Sequence, residues 1–204
     1  SIEIHKRPFG KDLNAHTSFN ETVYKLQLPS SNPQMVDSTL TILADWAGGL
    51  SIDSMQVEKE RGVILSEWLS KRDAKRDSDT AFLLELLNSS HYSERMTIGD
   101  TAVIRNCKRE DILDYYQTWY HPSLMAVAVV GDINPEQVET LIKEKFGKLS
   151  SLASPIWKQC HIPAYKKEAV RLLTNESLKT IDLDMIQLLP LSKPVQTTKD
   201  YKAY

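Results

Sequence analysis

Apolar and polar positions change period several times along the chain, and each change marks an element. From Asp12 to Leu28 the period is two: Tyr24, Leu26 and Leu28 alternate with Val23, Lys25 and Gln27. With Thr17-Ser18-Phe19-Asn20 as the connection, this stretch predicts a β-hairpin that Pro29 ends. Asn32-Pro33 then places a capping side chain ahead of a proline at the first helical position. Val36, Leu40, Leu43, Ala44 and Ala47 keep helical spacing until Gly48-Gly49 stops it. A second helix is expected from Asp53 or Ser54 to about Arg76, carrying Val57, Ile64, Leu65, Trp68 and Leu69 into the charge run Lys71 to Asp79. A third should cover roughly Thr80 to Asn88, and His91 to Gly99 reads as a surface loop.

Helical spacing returns at Arg109 to Tyr120 through Ile112, Leu113, Tyr116 and Trp119, and His121-Pro122 closes it. Met125 to Val130 is almost wholly apolar and rich in valine, which predicts a strand buried on both faces. Gly131-Asp132-Ile133-Asn134-Pro135 turns the chain into a helix over Pro135 to Phe146, with Asn134 as its N-cap. Ser150 to Tyr165, with Pro155 and Pro163, reads as a linker. Ala169 to Leu173 and Thr180 to Leu188 are expected strands around Asn175-Glu176-Ser177, and a helix start follows them. The expected class is α+β, a mixed and mostly antiparallel sheet packed with several helices.

Composition narrows the function. The 204 residues are 41% hydrophobic and 25% charged, with a formal net charge of −2. Such a chain is not a nucleic-acid binder that works through a general basic field. Two cysteines, Cys107 and Cys160, are too few for a disulfide framework. No run approaches the roughly 18 apolar residues of a membrane span, and no signal peptide is visible. The chain begins without an initiating methionine and stops just after a helix-start pattern, which suggests a piece of something longer.

The candidate chemistry lies in Glu58-Lys59-Glu60-Arg61-Gly62-Val63-Ile64-Leu65-Ser66-Glu67-Trp68. At about 100° per residue, a spacing of seven brings Glu67 within about 20° of Glu60, so both carboxylates leave one side of one helix. Val57 and Ile64 share that side, and a carboxylate within an apolar stripe needs a cation, a metal or several hydrogen bonds. The alternative is an offset stripe, with both glutamates in water at its edge and paired with Arg61 or Lys71. Gly62, costly inside a helix, suggests close packing against a neighbour. His5, His16, His91, His121 and His161 include no pair four apart, so neither His-Glu-x-x-His nor His-x-x-Glu-His is present. Each lone histidine reads as structural or exposed rather than as a ligand. There is no Gly-x-Ser-x-Gly and no phosphate-binding glycine loop, and Cys107, at an expected helix start, has no assigned base.

The order of segments resembles the pitrilysin/insulinase family of zinc peptidases over nearly the whole chain, and most closely its bacterial, pyrroloquinoline-quinone-associated type. Asn14-Ala15-His16-Thr17-Ser18-Phe19-Asn20-Glu21-Thr22-Val23-Tyr24 is similar to the strand pair after the family's metal helix, and Glu58 to Glu67 to its downstream glutamate helix. Tyr115 to Met125, running into Val129-Val130-Gly131-Asp132-Ile133, is similar to its buried strand and following turn. The resemblance implies a zinc-dependent endopeptidase that cleaves peptides or small proteins through a metal-activated water. By the same resemblance Glu67 is the third zinc ligand, and Glu60 supports the site without binding the metal. Asn14, Ala15 and His16 form the edge strand that receives the substrate as an added β-strand. The family's His-x-x-Glu-His helix, source of two ligands and the general base, would precede this sequence. A second half of the same chain, or a homologous subunit, would close the chamber. Residues 1–149 are then expected to form a first, incomplete subdomain, 150–165 a linker, and 166–204 the beginning of a second, similar one. Alone the chain should bind zinc weakly or not at all and should not cleave peptides. The other reading is a non-catalytic partner or scaffold of the same fold, which the retention of both Glu60 and Glu67 disfavours. The nearest relatives suggest a bacterial periplasm or cell envelope rather than the cytoplasm.

Overall fold

In a computed structural model the structure describes residues 13–70, 73–149, 155–156, 160–165, 170–174, 176, 179–186 and 197–198. Contacts group the chain into two units, Ser1–Trp68 with Thr97–Lys158, and Leu69–Met96 with Gln159–Tyr204.

In the first unit the period-two segment forms the expected hairpin. Strand β1, Leu13–Thr17, pairs antiparallel with β2, Thr22–Leu26, in a register that sets Asn14 opposite Lys25, Ala15 opposite Tyr24 and His16 opposite Val23. Helix α1 runs Pro33–Gly48, and the Asn32 carbonyl oxygen of its side chain accepts the amides of Gln34 and Met35 at 2.9 and 3.4 Å. Two of the helix's unpaired N–H groups are thereby satisfied. Helix α6, Pro135–Phe146, begins in the same way on Asn134. These two helices make the core. Leu40, 2% exposed, packs with Val36 and Val138, and Leu28, Val127, Val129, Ile133, Leu141, Ile142 and Phe146 close around them. Burying the Leu40 side chain stabilises the unit by roughly 2–3 kcal/mol. Lys145 on α6 reaches Asp37 on α1 at 2.8 Å, with its own side chain largely covered.

Three expectations need correction. The long second helix ends early. Helix α2 is Ser54–Ser70, and α3, Ala74–Leu86, starts separately because the Asp73 side chain accepts the Arg76 amide at 2.8 Å. An aspartate in a charge run looks like one more solvated charge, but here it is a helix cap. A short helix, α4, Thr101–Asn106, was not expected; Asp100 caps it ahead of α5, Arg109–Trp119. Cys107 therefore closes α4 on the residue before the cap of α5. Finally, Met125–Val130 follows a single 3-10 turn, Pro122–Leu124, but forms no strand ladder among the described residues. It is also not buried on both faces: Val127 and Val129 pack on the core while Val130 is 97% exposed.

In the second unit Leu87 is buried, Asn88 donates from its side chain to the Pro163 carbonyl at 2.7 Å, and Arg171 pairs with Glu85 at 2.9 Å. The His91 to Gly99 loop is made of turns, with His91 paired to Glu94 at 3.1 Å. The described parts of the two expected strands, 170–173 and 180–186, form no ladder. Ile181, Leu183 and Met185, at alternate positions, are 99%, 97% and 99% exposed. A strand needs a partner to satisfy its backbone, and none is provided among the described residues. The rest of these segments, and the helix start after them, lie largely outside the described residues. In all, those residues hold six α-helices and a two-stranded antiparallel sheet, a mixture of helix and antiparallel strand.

Candidate active site

Helix α2 carries both glutamates singled out in the sequence, and both are exposed. Its half-covered face is Val57, Arg61, Leu65 and Trp68, while Ile64 is 37% exposed and no residue of α2 is fully buried. At 100° per residue, Glu60 and Glu67 stand roughly a quarter turn from the middle of that face. The stripe is thus offset, as the alternative reading had it, but Arg61 pairs with Glu58 and not with Glu60. Lys71 lies outside the described residues. Gly62 is not a close-packing point either, since a Cβ there would meet nothing within 4 Å.

The setting of α2 is fixed by polar contacts at two places. Arg61, 15% exposed, donates through Nε and Nη2 to the two Glu58 carboxylate oxygens at 3.0 and 2.8 Å. Nη2 also reaches the Cys107 carbonyl at 2.8 Å, and Nη1 donates to the Ile104 carbonyl and lies 3.6 Å from Cys107 Sγ. Those carbonyls belong to the end of α4, where a helix leaves acceptors unpaired and favours a cation. The guanidinium holds the Glu58 carboxyl below its ordinary range through this hydrogen bond. The second place is the start of α2. There Asp53 Oδ1 accepts the Met55 and Gln56 amides at 2.9 and 3.2 Å. The preceding residue, Ile52, has φ +47°, a left-handed conformation that a β-branched residue adopts at a cost of about 1–2 kcal/mol. Arg109 of α5 offsets it, donating to the Ile52 and Ser51 carbonyls at 2.6 and 3.3 Å. Ser54, Glu58, Arg61, Cys107 and Arg109 line one open depression in this region. Neither arginine stood out in the sequence as more than a charge. The one available signal was Glu58 three residues before Arg61, the spacing of a helical ion pair.

Beside the hairpin, Tyr24 of β2 packs on Trp46 of α1 with ring centroids 5.7 Å apart, and its hydroxyl meets that of Tyr120. Tyr116 stacks on Tyr120 at 4.6 Å and donates to the Trp46 carbonyl at 2.8 Å. Burial pushes the Tyr116 and Tyr120 phenols up in pKa, and for Tyr120 the hydrogen bond with Tyr24 adds to it. Asn14, Ala15 and His16 lie exposed on β1, where Asn14 Oδ1 accepts the Ala15 amide at 2.8 Å. Their strand pairs with β2 along one edge only among the described residues. His121 is structural, 3% exposed with Nδ1 at 2.7 Å from Ser123 Oγ.

Among the described residues no three His, Cys, Asp or Glu side chains gather into a metal site. Glu67 supplies one carboxylate, and a catalytic zinc takes three protein ligands. The described residues do not, by themselves, fit a zinc ion.

Residues 5–101 match the family model described as insulinase (peptidase family M16), and residues 106–204 match that of the peptidase M16 inactive domain. The chain belongs to the M16 peptidase family. The junction between the two matched stretches falls at α4. This M16 chain is 35% identical to the "Probable zinc protease PqqL" of Escherichia coli over 141 residues, 69% of this chain and 15% of that protein. It is 30% identical to the "Zinc protease PQQL-like" of Arabidopsis thaliana over 95% of its own length and 20% of the relative's. The chain thus spans a fifth or less of the length of these curated relatives, which come from a bacterium and a plant. Among solved structures, the first half of the periplasmic protease PqqL from Escherichia coli matches with a TM-score of 0.71 at 30% identity, covering 76% of this chain and 33% of that one.

Proposed function

We propose that this M16 chain is part of a zinc-dependent metallopeptidase that hydrolyses peptides or small proteins. The observation that carries the reading is the placement of Glu60 and Glu67 on one exposed side of α2, inside the stretch that matches the insulinase model. In this reading Glu67 is a metal ligand, Glu60 a supporting carboxylate beside it, and the remaining ligands and the general base come from a His-x-x-Glu-His segment that the 204 residues do not contain. Bound zinc would supply Lewis acidity toward the scissile carbonyl. The part of this chain in binding is the open edge of β1, where Asn14, Ala15 and His16 offer main-chain groups to a peptide laid on as an additional strand.

Residues 1–149 then form the larger part of a first subdomain, with 150–165 as linker and 166–204 opening a second. A second half of the protein, or a homologous subunit, covers the substrate. A periplasmic or envelope location fits the solved PqqL half, described as periplasmic; among the described residues no helix is long and apolar enough to cross a membrane. The match of residues 106–204 to an inactive domain favours a supporting, non-catalytic role for that stretch.

Metal analysis tests the reading. In the longer protein, Glu67→Gln should cut zinc occupancy, because one charged oxygen ligand becomes a neutral amide. The 204 residues alone should hold zinc well below one ion per chain and show no chelator-sensitive peptidase activity. Unchanged zinc in the Glu67→Gln protein, or stoichiometric zinc in the short chain, overturns the assignment.

A further inference from the structure

We infer that Arg61 is the positioning residue of the glutamate helix, setting by its hydrogen bonds the rotation of α2 and so the direction in which the side that carries Glu60 and Glu67 faces. The inference rests on the reading of Glu67 as a metal ligand. A helix is normally held in rotation by a buried apolar stripe, but the apolar face of α2, Val57, Leu65 and Trp68, is only half-covered, and Met55, Val63 and Leu69 are 78%, 52% and 64% exposed. What α2 has instead is a guanidinium with all five N–H groups engaged. Two go to Glu58 on the same helix, two to the Ile104 and Cys107 carbonyls, and one faces Cys107 Sγ.

The geometry is specific to arginine. The Glu58 fork, three residues earlier, fixes the plane of the guanidinium, and the remaining donors must then meet two carbonyls at the end of another helix. Rotating α2 by one residue's worth, about 100°, would remove Arg61 from those carbonyls. A lysine ammonium keeps the charge but has neither the planar fork nor enough donors for this set. The role is distinct from that of Glu60 and Glu67, since the hydrogen bonds of Arg61 go to Glu58, Ile104 and Cys107.

The test uses the longer, zinc-loaded protein and four variants. Arg61→Met and Arg61→Lys, folded by far-ultraviolet circular dichroism, should each weaken zinc about 10-fold or more, the loss usual for groups that orient metal ligands. In peptide cleavage kcat should fall while KM stays near wild type. Glu58→Gln, a change at an exposed side chain, should shift zinc affinity in the same direction by a smaller factor. It decides the matter if the Arg61 variants do not fold. Glu67→Gln is the control. Zinc lost in Glu67→Gln but held at wild-type affinity in a folded Arg61 variant overturns the positioning role alone, as does an unchanged Glu58→Gln when it is the deciding variant. Zinc unchanged in Glu67→Gln overturns the metal-ligand reading itself.

Discussion

Tyr120 shows how packing changes the chemistry of a single side chain. Its phenol is pushed up from 10.0 mainly by burial and then by the hydrogen bond with Tyr24. The folded state therefore holds this proton more tightly than the unfolded one, so the contribution to stability is complete below about pH 10 and is lost as the pH rises toward the folded value. Denaturant midpoints measured from pH 8 to 11 should fall above pH 10 in the wild type and fall less steeply in Tyr120→Phe. Equal slopes in the two proteins would contradict the assignment. The sequence shows residues of this kind unevenly. The spacing of Glu60 and Glu67 is visible because helical geometry is a local rule. The engagement of Arg61 with Ile104 and Cys107 is not visible, because it joins positions 43 and 46 residues apart.

At the scale of elements, local signals decide where helices begin. Asn32-Pro33 and Asn134-Pro135 announce α1 and α6 because cap, proline and apolar spacing coincide within one turn. Asp73 and Asp100 cap α3 and α4 by the same bond, but neither is followed by a proline: Asp73 stands in a charge run and passes as a solvated charge, and Asp100 follows Gly99 and passes as part of a loop. Replacing Asn134 by alanine should lower stability by about 1 kcal/mol, read from the urea midpoint, since two amides of α6 lose their acceptor. The loss should appear in the global transition, because Val138 of α6 packs in the core with Leu40. A midpoint within error of wild type would show that water replaces the cap. Strands were legible only where both partners are neighbours in sequence. β1 and β2 meet across a short turn, whereas the apolar run from Met125 to Val130 gives no sign of what pairs with it.

For the whole molecule, each unit is assembled from two separate stretches of chain. Composition and turn residues mark breaks along a sequence and not returns in space, so punctuation at Pro155 and Pro163 shows where the chain is irregular but not which stretches share a core. The family was legible at this scale, since the order of the hairpin, glutamate helix and Val129-Val130-Gly131-Asp132 turn survives where single motifs are weak. The nearly bare side chains of Ile181, Leu183 and Met185 have a further consequence, for how the protein behaves in a tube. Apolar groups at alternate positions, with no ladder beside them among the described residues, are a template for another chain. Solutions of the 204 residues should therefore sediment as species that grow with concentration, and Leu183→Lys should return them toward monomer with helix content unchanged. Concentration-independent sedimentation of the unaltered chain would show that this row attracts nothing.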